Sequence, residues 1–150
     1  MSQDITVQNA SQQGFLPVMR ELVRAYQAFA SYDAAAYRDS DLTVSQADVI
    51  FTLGNTDGLT FKEIGELTLI TKGTLTGVID RLEQKGLVNR ITQTDDRRCT
   101  RVVLTARGNK LFAKEFPRQI AHIKARFDRL SPQDLRQLQT LLQKLRTAFE

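Results

Sequence analysis

The sequence has few of the residues on which metal sites, disulfides and membrane anchors depend. It contains one cysteine (Cys99), one histidine (His122), three prolines and no tryptophan. A single cysteine excludes an internal disulfide, and one cysteine with one histidine argues against a Cys/His metal centre. No run approaches the roughly 18 apolar residues of a membrane span, and the polar start containing Asp4 is unlike a signal peptide. We therefore expect a cytoplasmic protein that has neither a cofactor nor a metal.

The composition is that of a folded protein with a local excess of positive charge. Hydrophobic residues make up 41% of the 150 residues and charged residues 25%, which is typical of one globular domain or two small lobes that fold together. The formal net charge is +4. The segment from Lys85 to Lys110 alone has seven basic and two acidic residues, a net charge of +5. This cluster permits an anionic partner, although a solvated protein surface would give the same pattern.

Apolar residues near both ends of the chain recur at helical spacing. Steps of mostly three or four residues connect Phe15 to Phe29, Phe112 to Leu130, and Leu135 to Phe149. Each series predicts a helix with one apolar face. We interpret residues 1–40 and 106–150 as a helical dimerisation region, although a three-helix bundle within one chain would bury the same faces.

Between these ends, helix start signals predict short helices joined by tight turns. Two capping boxes are present, at Thr43-x-x-Gln46 and at Thr60-x-x-Glu63. The second of these helices is expected to bury three apolar side chains, those of Phe61, Ile64 and Leu67.

A third helix and a hairpin complete the central segment. Thr71 is expected to cap the helix and Gly86 to end it, with an apolar face formed by Leu75, Val78, Ile79 and Leu82. The β-rich runs at residues 87–92 and 101–104 flank a polar tip, which predicts a two-stranded hairpin. Residues 41–105 are therefore interpreted as a winged helix-turn-helix domain, and the chain as a mainly α fold with a small β-hairpin wing.

The outer face of the third helix carries the chemistry of a nucleic-acid interface. Opposite the apolar face lie Gly73, Thr76 and Gly77, with Lys72 and Thr74 near the helix start. A helix N-terminus presents free N–H groups to phosphate, and threonine can contact base edges. Each glycine costs the helix about 1 kcal/mol relative to alanine, so two on one face indicate the close approach of a partner.

The wing tip supplies a second set of candidate residues. Arg97 and Arg98 lie on a narrow projection from which arginine can enter a minor groove, and Asp96 is expected to brace one of them. Cys99 follows directly, and the surrounding positive charge favours its thiolate. The alternative for Cys99 is a small strand residue that has no sensing role.

These central segments resemble the MarR family of multiple-antibiotic-resistance regulators. The resemblance is carried by ITKGTLTGVIDRLEQKGLVNR (residues 70–90) and DDRRCTRVVLT (residues 95–105). It implies a homodimeric bacterial transcription factor, usually a repressor, on a palindromic DNA operator. It also implies that Thr71 to Thr76 read DNA, that Arg81 lies near the DNA backbone, and that Asp96 and Arg98 are the functional wing pair. One departure is Gly77, where members often carry arginine.

The resemblance further implies a small amphipathic or aromatic ligand that releases the DNA. Its crevice would lie between the dimerisation helices and the winged helix, lined by Tyr26, Phe29, Tyr32 and Tyr37. Simple packing of these aromatic residues in the core or the dimer interface is the alternative. His122 lies off the apolar series and is expected at the surface or the rim of the dimer.

Two other classes of function are weighed against a regulator. A helical dimeric adaptor could use the winged helix to bind protein, but the basic wing argues against it. No carboxylate pair, nucleophile–base set or phosphate-binding loop is recognisable, so we do not expect an enzyme. A thiol-responsive regulator that acts through Cys99 is the third alternative.

Overall fold

The chain forms seven helices and three short strands in the residues that the structure describes. The structure is a computed structural model of one chain and describes residues 4–92 and 100–150. The helices are α1 (Val7–Ala10), α2 (Leu16–Ala35), α3 (Val44–Leu53), α4 (Phe61–Thr68), α5 (Lys72–Gln84), α6 (Ala106–Phe127) and α7 (Pro132–Phe149). The strands are β1 (Leu59–Thr60), β2 (Val88–Thr92) and β3 (Thr100–Leu104). The predicted mainly α fold with a small wing is confirmed.

Local capping determines where most of these helices begin. The hydroxyl of Thr43 accepts a hydrogen bond from the Gln46 amide at 3.2 Å, and that of Thr60 accepts from the Glu63 amide at 3.2 Å. Thr105 caps α6 in the same way, through the Gly108 amide at 3.0 Å. A capping box also opens α7. These bonds satisfy backbone donors that a helix start otherwise leaves unpaired.

The hydrophobic core lies within the winged helix. Helices α3 and α5 contribute most of the buried side chains, and Ile64 of α4 and Val88 and Val102 of the strands close the core around them. The predicted apolar face of α5 is confirmed. One predicted core residue is wrong: Leu67 is 64% exposed, because α4 ends one residue later and its buried face is supplied by Ile64.

The wing is built on a three-stranded antiparallel sheet in the order β1-β3-β2. The hairpin strands pair from Val88 with Leu104 to Thr92 with Thr100. Strand β1 adds Leu59 opposite Val102 and was not predicted. The Arg101 guanidinium donates to the Gly58 carbonyl oxygen at 2.7 Å, which joins the base of the wing to the turn before β1.

Close packing fixes the long helix α6 against the winged helix. A Cβ at Gly108 would lie 2.1 Å from the Leu87 carbonyl oxygen, so only glycine fits there. Farther along α6, the Gln119 amide group donates to the Asp33 carboxylate of α2. Helix α6 therefore connects the winged helix to α2.

Helices α2 and α7 have no buried residue in the single chain. Their apolar residues are exposed instead, among them Phe15, Val18, Met19, Leu138, Leu142 and Phe149. Such apolar faces rarely remain in water on a soluble protein.

Candidate nucleic-acid interface

The structure places the seven predicted recognition residues on one element. The buried face of α5 consists of Leu75, Val78, Ile79 and Leu82. The opposite face is open to solvent: Gly77 is half-buried, and the others are exposed, namely Thr71, Lys72, Gly73, Thr74, Thr76 and Arg81. The core therefore holds α5 in a position that leaves these groups available to a partner.

The start of α5 differs in detail from the predicted cap. Helix α5 begins after Thr71, as predicted, but the Thr71 hydroxyl donates to the Thr74 hydroxyl at 3.0 Å and makes no capping bond to the backbone. Within residues 4–92 and 100–150, no group accepts a hydrogen bond from the amides of Lys72 and Gly73. Free amides at a helix N-terminus favour an anion such as phosphate.

The two glycines of α5 have no packing reason to be glycine. A Cβ at Gly73 or at Gly77 would meet no atom within 4 Å. Glycine nevertheless costs a helix about 1 kcal/mol relative to alanine. Packing within the described residues therefore does not explain why these positions are glycine. The close approach of a partner would explain it.

Arg90, whose role the sequence alone does not indicate, connects the wing to α5. The guanidinium of Arg90, on β2, donates to the Asp80 carboxylate and, at 2.8 Å, to that of Glu83. It also lies 5.6 Å from the centre of the Phe61 ring of α4. The hydrogen bond with Asp80 raises the pKa of Arg90 above its ordinary value. Arg90 thus neutralises two acids on α5 and joins three elements of the winged helix.

The tip of the wing lies outside the described residues. The predicted wing residues Asp96, Arg97 and Arg98, and also Cys99, fall within residues 93–99 and remain predictions. The strands that carry the tip are placed, since β2 and β3 pair over five residues each and β2 is fixed to α5 through Arg90.

The four residues of the predicted crevice do not line one cavity. Phe29 and Tyr32 line a cavity of about 440 Å³ between α2 and α6, together with Arg126 and Arg129. Tyr26 is exposed on α2 and does not line this cavity. Tyr37 follows α2 and packs against the core of the winged helix.

The surroundings of Tyr37 differ in charge from those of Tyr32. Burial raises the pKa of Tyr37 above its ordinary value, and the carboxylates of Asp33, Asp48 and Glu115 raise it further. At Tyr32, by contrast, the Arg126 guanidinium lies 4.5 Å from the ring centre. The cavity beside Tyr32 therefore suits an aromatic anion, and the acidic neighbourhood of Tyr37 does not.

His122 is half-buried at the contact between α2 and α6, and its predicted place at the surface or the rim of a dimer stays a prediction. Its ring stacks on Tyr32 with the centroids 4.0 Å apart and the planes 8° from parallel. Its Nε2 lies 2.9 Å from the Tyr32 carbonyl oxygen, and the Tyr32 hydroxyl donates to the His122 carbonyl oxygen at 2.9 Å. These contacts tie α2 to α6 at one wall of the cavity.

The described part of the chain shows neither a metal-binding cluster nor a membrane-spanning helix. It contains no group of three or more His, Cys, Asp or Glu side chains that could hold a metal ion. Over the same residues, no helix combines the length and the apolar character needed to cross a lipid bilayer.

An exposed helix with a free N-terminus beside a β-hairpin defines a winged helix-turn-helix protein of the DNA-binding class. The model of the MarR family matches residues 42–100. The HTH-type transcriptional regulator SarZ of Staphylococcus saprophyticus is 28% identical over 92 residues, which are 61% of this chain and 58% of that relative. The chain thus aligns with less than two thirds of this relative's length.

Two solved structures are similar over nearly the whole chain. Bordetella bronchiseptica BpsR, described for the regulation of its DNA binding by 6-hydroxynicotinic acid, has 28% identity and a TM-score of 0.77, covering 89% of this chain and 95% of that one. AbsC, a MarR family transcriptional regulator from Streptomyces coelicolor, has the same fold with 22% identity and a TM-score of 0.80, covering 99% and 98%. Residues 42–100 of the chain thus match the MarR family of transcriptional regulators, and the chain has the fold of BpsR.

Proposed function

We propose that the protein is a cytoplasmic, homodimeric transcriptional repressor that binds a palindromic DNA operator and is released by a small aromatic ligand. It works by binding and not by catalysis. The observation that carries the proposal is the solvent face of α5. There, two helical glycines without a packing role lie beside exposed threonines and two unpaired backbone amides.

Each residue of this face has a distinct proposed role. Thr74 and Thr76 contact base edges and carry sequence preference, because hydroxyl and methyl groups distinguish bases in the major groove. Lys72 and the amides at the helix start bind phosphate. Gly73 and Gly77 let the backbone of α5 approach the duplex. Arg81 binds the DNA backbone, which contributes affinity without base information.

The wing is proposed to supply a second DNA contact. Arg98, assisted by Arg97, enters the minor groove next to the site of α5, and Asp96 orients an arginine side chain. Support comes from the position of the hairpin strands, which Arg90 and its partners Asp80 and Glu83 hold against α5.

Dimerisation is proposed to bury the apolar faces of α2 and α7. Residues 1–40 and 106–150 form the dimerisation region, and residues 41–105 form the DNA-binding domain. Support comes from the apolar residues of both helices that stay exposed in the single chain. A two-fold dimer would present two α5 helices to successive major grooves.

Selection of bound sequences from a random DNA pool tests the regulator proposal. We expect an enriched palindrome whose half-sites lie about one helical turn, roughly 10 bp, apart. Light scattering of the protein should give a dimer of about twice 17.0 kDa. No enrichment, or a stable monomer that protects a single half-site, would contradict the proposal.

The proposed effector site is the cavity that Phe29, Tyr32 and Arg126 line. BpsR, whose DNA binding is regulated by 6-hydroxynicotinic acid, supports an aromatic acid as the ligand class. In this cavity the ring would lie on the aromatic side chains and the carboxylate beside Arg126 or Arg129.

A release experiment tests the effector site. The probe is 6-hydroxynicotinic acid, and its uncharged amide is the matched control. We expect the acid to release the selected operator and the amide to act far more weakly. Arg126→Gln should keep operator affinity and lose the response, whereas Arg136→Gln on α7, outside the cavity, should keep both. A full response in Arg126→Gln would exclude this cavity as the site.

A further inference from the structure

Two leucines at the helix-turn-helix turn are exposed without a packing role. Leu67 and Leu69 are 64% and 88% exposed, although they lie next to Ile64 and Leu75, which are fully buried. A leucine in water contributes nothing to the hydrophobic core of the chain. Packing in the core therefore does not explain why these two positions are leucine.

The backbone conformation of Leu69 is also energetically unfavourable. Leu69 has φ 60° and ψ 13°, in the left-handed region, where a Cβ is strained and glycine or asparagine is favoured. Among the described residues, the other non-glycine residue with positive φ is Asn55 (φ 59°), which suits that conformation. At the turn before α5, by contrast, the chain places a large apolar side chain in a strained, exposed position.

The position of Leu69 within the helix-turn-helix indicates which kind of partner could cover it. In a helix-turn-helix, the first helix crosses the DNA backbone and the second enters the major groove. The turn between α4 and α5 therefore lies where the sugar–phosphate backbone borders the groove. Lys62, near the start of α4, and Lys72, the first residue of α5 after this turn, are both exposed and can bind phosphates.

We infer that Leu69, assisted by Leu67, is an apolar contact to the deoxyribose edge of the DNA backbone beside the groove. This inference rests on the proposed function. Deoxyribose carbons are the apolar part of that backbone, and a leucine held outward by the left-handed turn would cover them while the lysines bind the neighbouring phosphates. Two leucines present too little surface for a stable protein interface, which needs about 800 Å² from each partner.

An apolar sugar contact has properties that separate it from the other proposed contacts. It releases no counterions, so the dependence of affinity on salt stays unchanged when it is lost. It also carries no base information, so affinity for operator and for random DNA should fall equally.

Two substitutions separate the contact from the backbone strain. Leu69→Ala keeps the strain and removes the apolar side chain, whereas Leu69→Asn removes both. We expect each variant to bind the selected operator and a random duplex about 3- to 10-fold more weakly at an unchanged salt slope. The thermal midpoint should rise for Leu69→Asn alone. Ile5→Asn, a control that removes an exposed apolar side chain before α1, should leave DNA binding unchanged.

The following outcomes would contradict either the inference or the proposed function. Unchanged or tighter DNA binding by both Leu69 variants, or a lower thermal midpoint for Leu69→Asn, would overturn the inference. A loss confined to the operator that disappears when deoxyuridine replaces thymidine would identify a thymine methyl contact and would also overturn it. Failure of the parent protein to prefer its selected operator would instead refute the proposed function itself.

Discussion

Gly77 and Gly108 differ in whether the fold requires a glycine. A Cβ added at Gly77 would meet nothing within 4 Å, whereas a Cβ at Gly108 would meet the Leu87 carbonyl oxygen at 2.1 Å. The second glycine is therefore required by the fold and the first is not. The sequence alone does not show which glycine the packing requires, because the contact of Gly108 with Leu87 exists only in the folded chain.

Gly77→Ala is expected to change stability and DNA binding in opposite directions. The helix should gain about 1 kcal/mol in its free energy of unfolding, because alanine replaces glycine at a helical position with open space. Affinity for the operator should fall, because the new methyl group holds the backbone of α5 away from the duplex. Denaturant unfolding and DNA titration measure the two effects.

Gly108→Ala is the matched control for this prediction. It should lower stability, since its methyl group has no space against the Leu87 backbone. A Gly77→Ala variant that binds operator as tightly as the parent would show that close approach at this position is not used.

At the scale of elements, the sequence predicts the helix starts that are determined by hydrogen bonds between neighbouring residues. The starts of α3, α4, α6 and α7 were predictable because their capping partners lie three residues apart along the chain. Strand β1 was not predictable, because its two residues become a strand only by pairing with β3, some 40 residues later. The packing of His122 and the exposure of Leu67 were not predictable for a similar reason: the contacts of His122 with Tyr32 join residues 90 positions apart, and the exposure of Leu67 depends on how α4 ends.

The side chain of Arg90 makes the ion pairs that hold the wing against α5. Arg90→Ala should weaken operator binding, because Asp80 and Glu83 are left uncompensated near the DNA and β2 loses its bonds to α5. Arg90→Lys should restore only part of the affinity, since an ammonium group does not reproduce the forked donor geometry. DNA titrations of both variants, with circular dichroism to confirm folding, measure this. Equal binding by parent and Arg90→Ala would refute the role.

The capping box of α4 predicts an acid-dependent part of the stability. The bond from the Thr60 amide to the Glu63 carboxylate, at 2.7 Å, lowers the pKa of Glu63 below its ordinary value. Its stabilisation is therefore complete above the unfolded-state pKa and is lost as the pH falls through the lower folded-state pKa. Between about pH 5 and pH 2, the thermal midpoint of Glu63→Gln should fall less steeply than that of the parent. Identical slopes would contradict the assignment.

At the scale of the whole molecule, the apolar residues form two groups, one buried and one exposed. Those of the winged helix fill a core that positions α5 and the wing, while those of α2 and α7 stay exposed in the single chain. Helix α6 belongs to both parts: Gly108 packs on the winged helix, and Gln119 and His122 bond to α2. A ligand between α2 and α6 would therefore contact the helix that connects α2 to the winged helix.

The proposed role of the protein as a transcriptional regulator depends on whether the face of α5 reads DNA. The helix itself could be predicted from Thr71 and Gly86, and its reading face from the position of its apolar residues. The wing tip, by contrast, is still known from sequence alone, because residues 93–99 lie outside the described structure.

Discrimination between operator and random DNA by two α5 variants tests this central claim most directly. Thr76→Ala should lose about 1–3 kcal/mol of preference for the operator, because a base contact is removed. Arg81→Ala should weaken binding to both duplexes about equally, because a backbone contact carries no base information. If both variants instead lose the same affinity on both duplexes, or neither loses any, the solvent face of α5 is not a surface that reads DNA sequence.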